Sequence, residues 1–159
     1  MSETADLIDQ MLDTWRTHAR IQRYVLDDLS EDALGADSGI KGRSVGEQFA
    51  HMHDVRLMWL KSAAPDLLTG ASKLGNEGGR SIAGLRSALE GSAAAVEELL
   101  ASALATGRVK GFKPHPVAFL GYLIAHESYH QGDIGVRLTQ SGHRLDQKVA
   151  YGIWEWGSR

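Results

Sequence analysis

Apolar side chains recur at three- and four-residue intervals through almost the whole chain, which is the spacing of amphipathic helices. No stretch sustains the two-residue alternation of a half-buried strand between hairpin turns, and no internal repeat is visible. From about Asp6 to Leu29 the stripe passes through Leu7, Met11, Trp15, Ala19, Val25 and Leu29. A Gly- and Asp-rich connection follows from Ser30 to Arg43. Ser44-Val45-Gly46-Glu47 is a capping box that opens a second helix, whose buried face runs through Gln48/Phe49, Met52, Val55 and Trp59 to an end near Pro65. After a polar loop, Ser81 caps a third helix that carries Leu85, Leu89, Val96, Leu100 and Leu104. Pro116 suits the first turn of a fourth helix, and Gly142 stops it. A shorter apolar segment runs from Leu145 to Trp156. Four long helices and a short fifth predict an all-α bundle in a single domain spanning residues 1–159.

With 17 basic and 20 acidic residues the net charge is −3, spread without long blocks of one sign, so nothing suggests a nucleic-acid surface. The acidic start, Met1 to Asp9, lacks the features of a signal peptide. No apolar run reaches the ~18–20 residues of a membrane span. A cytoplasmic protein with a small-molecule substrate is the expectation. Cysteine is absent, so any metal must be held by His, Asp or Glu.

The histidines give that possibility substance. His126 and His130 lie four apart in His126-Glu127-Ser128-Tyr129-His130, within an apolar helix. Residues at that spacing differ by about 40° around the axis, so both imidazoles leave one face. Two nitrogens from one helix suit a divalent ion, and His51 is the best-placed source of a third. His53 is the alternative; it sits about 160° from His51, so the two cannot share a metal, and with His51 inward it points largely out. His18, His115 and His143 read as solvated or capping residues. The run also matches His-Glu-x-x-His, in which Glu127 would be a general base. However, Asp133 and Val136 occupy positions where the longer zinc-protease motif needs Gly and His.

Taken together, Ser44-Val-Gly-Glu-Gln-Phe-Ala-His51, His126-Glu-Ser-Tyr-His-Gln-Gly-Asp-Ile134 and the ending Tyr151-Gly-Ile-Trp-Glu-Trp156 resemble the DinB/YfiT-like family of metal-dependent enzymes. The resemblance covers essentially the whole chain. It implies a four-helix bundle in up-down-down-up order, with the long crossover between the second and third helices. It also implies a zinc or nickel ion on His51, His126 and His130. Members of known activity act mainly as thiol S-transferases or thiol-dependent isomerases with low-molecular-weight thiols, and they often form homodimers.

Neither Glu127 nor Asp133 belongs to the ligand set implied by the resemblance. Both are candidate general bases if the metal activates water instead, and Asp133 could also orient an imidazole. Glu47 reads as a cap. Arg43, Arg56, Lys113 and Arg137 are candidates for substrate recognition whose simpler reading is solvated surface. Tyr122, one turn before His126, has a better claim on the pocket than Tyr129. Trp154 and Trp156 read as core or dimer-interface residues. A metal-dependent hydrolase and a non-catalytic metal- or ligand-binding bundle are the alternatives.

Overall fold

The computed structural model describes residues 3–159; Met1 and Ser2, the first residues of the acidic start, lie outside them. Four long helices form the bundle: α1 (Glu3–Asp27), α3 (Val45–Ala63), α4 (Ile82–Thr106) and α5 (Pro116–Gln140). Two short ones, α2 (Glu31–Gly35) and α6 (Gln147–Gly152), both lie near the C-terminal end of α1. Helix boundaries follow local chemistry. Both halves of the Ser44/Glu47 capping box are formed, Ser81 accepts from the Gly84 N–H, and Gly107 ends α4 at φ 80°. The His115 Nδ1 accepts from the Ala118 N–H ahead of Pro116, so this histidine is a cap, as read from the sequence.

Two expectations need correction. The connection from Ser30 to Arg43 contains α2, because Ser30 caps a turn whose Ala33 and Leu34 are buried. The final segment is helical only over Gln147–Gly152, followed by a 3-10 turn at Trp156–Ser158 that leaves Trp154 74 % and Trp156 42 % exposed. Neither tryptophan is a core residue.

Cross-helix pairs give the chain directions. Arg16 meets Glu97 while Arg23 meets Glu90, so α1 and α4 are antiparallel. Gln48 meets Asp133 while Arg56 meets Glu127, so α3 and α5 are antiparallel. Gly46 packs on Gly79, just before α4, while Arg56 reaches Leu89 and Ser92, so α3 and α4 run parallel. The order is therefore up-down-down-up. Residues 64–81, with two 3-10 turns, make the long crossover between the parallel pair.

The core has two apolar halves. One gathers around Trp15, Leu60, Leu100 and Phe119; the other around Leu26, Phe49, Leu85 and Ile134. His18, Arg56, Ser92 and Glu127 sit between them in sequence position on α1, α3, α4 and α5, and all four are buried. A polar layer thus crosses the bundle at its middle.

Candidate metal centre

The middle layer is an ion network. Arg56 donates from Nε to Glu127 Oε1 at 2.6 Å and from Nη2 to Oε2 at 2.9 Å. Its Nη1 reaches the Leu89 carbonyl at 2.9 Å and Ser92 Oγ at 3.2 Å. His18 Nε2 bonds Glu127 Oε2 at 2.8 Å, and the Trp15 ring lies 5.1 Å from the guanidinium carbon. Burial alone would raise the Glu127 carboxyl, but the charge of Arg56 and the hydrogen bonds from His18 and Arg56 hold it at about 2.

These contacts overturn two readings. Arg56 is not solvated surface and His18 is neither solvated nor a cap; each lies on the buried stripe of its helix, where a charge persists only when paired. Acidification tests the arrangement. A carboxyl depressed from its ordinary ~4.3 contributes its full stability above that value and loses it as pH falls through the folded value of about 2. Melting temperature should therefore drop steeply from about pH 4 to pH 2 in the wild type and less steeply in Glu127→Gln; parallel profiles would contradict the assignment.

One turn further along, α3 and α5 bring together His51, His126 and His130. Each offers one ring nitrogen, and these atoms lie within 4.8 Å of one another. Ring centroids are 5.4 Å apart for His51–His126 and 4.7 Å for each of the other two pairs. His51 and His126 are half-buried and His130 is buried.

The surroundings favour the neutral form of all three imidazoles. Burial, then the charge of Arg43 and of His126, lowers His51. Burial and Arg43 lower His126 against an opposing pull from Glu127. Burial, then the neighbouring His126 and His51, bring His130 down to about 4. Three imidazoles on two helices, each shifted toward the unprotonated form that ligates metal, make a donor set that could hold a divalent ion.

His130 is oriented by a chain of hydrogen bonds whose polarity is fixed from its far end. Arg137 donates from Nε to Asp133 Oδ2 at 2.8 Å. Asp133, an acceptor only, takes a second bond from the Gln48 amide nitrogen. The Gln48 oxygen is thereby turned toward His130 and accepts from its Nδ1 at 2.7 Å. That tautomer leaves the His130 Nε2 lone pair free. Burial would raise Asp133, but its bonds from Arg137 and Gln48 hold it below the usual carboxylate range.

Gln48→Leu should leave the fold intact and weaken metal binding about 10–100-fold, the cost typical of losing a partner behind a ligand. A competitive chelator titration reads it, and unchanged affinity would remove Gln48 from this role.

The structure does not bring Glu127 into the cluster: both of its oxygens are engaged in the middle layer. Asp133 reaches the histidines only through Gln48. His53 leaves the metal face as expected but does not reach solvent; the crossover covers it, and its Nε2 bonds the Ser72 carbonyl at 3.0 Å. Arg137 is buried too, which corrects its reading as surface, and donates to the carbonyls of Ile40 and Lys41. His143 is half-buried, with Nδ1 near Ser141.

Tyr122 stacks on His126 with centroids 6.2 Å apart, while Tyr129, largely exposed, meets the edge of His130. Gln48 is the residue that sequence reasoning missed. Its signal was a carboxamide on a buried stripe, three positions before His51.

Comparison with family profiles matches the chain to the DinB family over residues 1–148. The chain belongs to the DinB family. Comparison with curated proteins and with solved structures returned no match. For this DinB chain, the helical bundle and the three-histidine cluster are thus in place, and both are compatible with metal binding. Among the described residues no helix is long and apolar enough to cross a membrane.

Proposed function

We propose that this DinB-family protein is a divalent-metal enzyme of the thiol S-transferase type. His51, His126 and His130 would hold a zinc or nickel ion, and imidazole nitrogen suits either. The reaction joins the sulfur of a low-molecular-weight thiol to an electrophilic carbon of a small-molecule substrate. The sulfur–carbon bond forms as the leaving group departs with its electron pair, and the thiol proton passes to solvent. A bound ion supplies a Lewis acid with open positions, which lowers the pKa of a thiol that meets it.

The observation that carries this reading is a cluster of three imidazoles whose neighbouring carboxylates, Glu127 and Asp133, are already engaged. Hydrolysis calls for a base to accept a proton from water. Glu127, held at about 2 by Arg56 and His18, is a poor one. Asp133 is occupied by Arg137 and Gln48. A thiol needs no such base once its pKa is lowered. Both acids therefore serve as positioning residues: Glu127 sets α5 against α1 and α3, and Asp133 sets Gln48 and through it His130. Tyr122, stacked on His126, walls one side of the site.

The test is thiol consumption with an electrophilic aryl halide, using protein loaded with zinc or nickel and protein stripped by chelator. Turnover that disappears on stripping and returns on reloading is expected. Ester hydrolysis without thiol would favour the hydrolase. Metal removal that lowers the melting temperature, with no turnover on any substrate, would favour the non-catalytic bundle. We also propose a cytoplasmic homodimer paired through exposed Tyr151, Trp154 and Trp156, and a monomer by light scattering would contradict the pairing.

A further inference from the structure

His18 and Gln22 both interrupt the buried face of α1, and the interactions within the protein account for only one of them. His18 is spent on Glu127. Gln22, one turn later, is 2 % exposed, and neither end of its carboxamide has a hydrogen-bond partner among the described residues. A buried amide without partners costs free energy that packing alone does not return. Because no bond holds either end, nothing in the protein fixes which way the amide faces.

Gln22 borders a cavity of about 360 Å³ between α1, α5 and the C-terminal segment. Gln131 reaches the same cavity from α5, and its Oε1 is likewise buried without a partner. Two carboxamides from different helices therefore line one space with their hydrogen-bonding capacity unspent.

The rest of the lining suits a flat apolar body. Gly132 and Gly135 leave room along α5, where an added Cβ would meet nothing within 4 Å. Ile21, Leu145 and Ile153 supply apolar walls, and the exposed indoles of Trp154 and Trp156 flank them. The segment that carries these indoles is fastened to α1. Arg20 donates to the Arg159 carbonyl at 2.9 Å, Arg159 donates to the Gly152 carbonyl at 3.0 Å, and the Arg159 guanidinium lies 4.0 Å from the centre of the Tyr24 ring. Among the described residues no Lys, Arg, Asp or Glu lines the cavity, so it offers nothing to a phosphate, a carboxylate or an ammonium group. It is also separate from the three-histidine cluster. At about 100° per residue, Gln131, Gly132 and Gly135 lie on the side of α5 roughly opposite His126 and His130.

We propose that this cavity is a second binding site, for an uncharged, flat aromatic molecule with a lactam- or amide-type edge. Such an edge sets an N–H beside a C=O in one plane, the complement of a carboxamide, and the ring behind it stacks on the indoles. The proposal rests on neither the metal nor the thiol reading.

The test titrates the whole chain with isocarbostyril, a two-ring lactam, beside its N-methyl derivative, which keeps the rings but lacks the N–H donor. Indole N–H resonances report where each compound binds. Wild type should bind the lactam about fivefold to tenfold more tightly than the N-methyl compound, with shifts at Trp154 and Trp156 and none at Trp15 or Trp59. Stripping metal with chelator should leave this unchanged. Gln22→Met should remove the preference and melt no lower than wild type, since it deletes an amide without partners. Gly132→Leu should fill the space beside α5 and abolish binding of both compounds with the fold intact. No binding of the lactam by wild type, equal binding of both compounds, or a preference that survives in Gln22→Met overturns the proposal. A Gln22→Met chain that melts well below wild type overturns it too, because the amide would then be bonded within the fold. Indole shifts that follow protein concentration and not the lactam assign this face to a second copy of the chain and overturn it likewise.

Discussion

Replacing Glu127 with Gln is expected to destabilise the fold by about 3–5 kcal/mol, the cost typical of leaving one partner of a buried ion pair uncompensated. The guanidinium of Arg56 and the carboxylate of Glu127 have side chains only 1 % exposed and satisfy each other through two hydrogen bonds. A neutral amide keeps the shape but removes the charge that offsets Arg56, and its nitrogen would face a donor. For a chain of this size the loss corresponds to a melting temperature lower by roughly 10 °C or more. Arg56→Met together with Glu127→Leu should recover most of it, because an apolar replacement of both partners leaves no orphaned charge. Thermal and denaturant unfolding of the two variants measure this. A Glu127→Gln chain as stable as wild type would show that the middle layer does not hold the bundle together.

His126→Ala should have the opposite profile: a nearly unchanged fold and a lost metal. His126 is half-buried between α3 and α5, and its imidazole forms no hydrogen bond among the described residues, so its removal orphans no buried partner. The loss of one of three nitrogens should cut affinity by well over the ~10–100-fold expected from Gln48→Leu. The contrast with Glu127→Gln is informative, since the two substitutions are adjacent in sequence yet act on different properties. Isothermal titration with zinc or nickel and a melt on the same sample separate them. Wild-type affinity in His126→Ala would remove that residue from the ligand set.

Much of this architecture was legible before any coordinates. Three-and-four periodicity, the Ser44/Glu47 capping box, Pro116 and Gly142 set the long helices, because each records a local backbone requirement. The spacing of His126 and His130 put two imidazoles on one face, and the structure adds His51 from the neighbouring helix. What stayed hidden depended on pairing across helices. Arg56 on a helix of otherwise mixed face reads as surface until Glu127 and His18 are seen opposite it. A cation, an anion and an imidazole on three buried stripes were the available sign, but sequence does not say which stripes face each other. His53 was misplaced for a related reason: a rotation of about 160° turns it from the metal, but only the fold of the crossover determines that something covers it. Gln48 had no visible role until Asp133 fixed the direction of its amide.

Elemental analysis of untagged protein, as purified and after reconstitution with zinc or nickel, tests the metal centre most directly. Wild type should hold one divalent ion per chain, and His51→Ala, His126→Ala and His130→Ala should each hold little or none while keeping helical content. Wild-type protein that retains no metal after reconstitution, or variants that retain as much as wild type, would contradict the account.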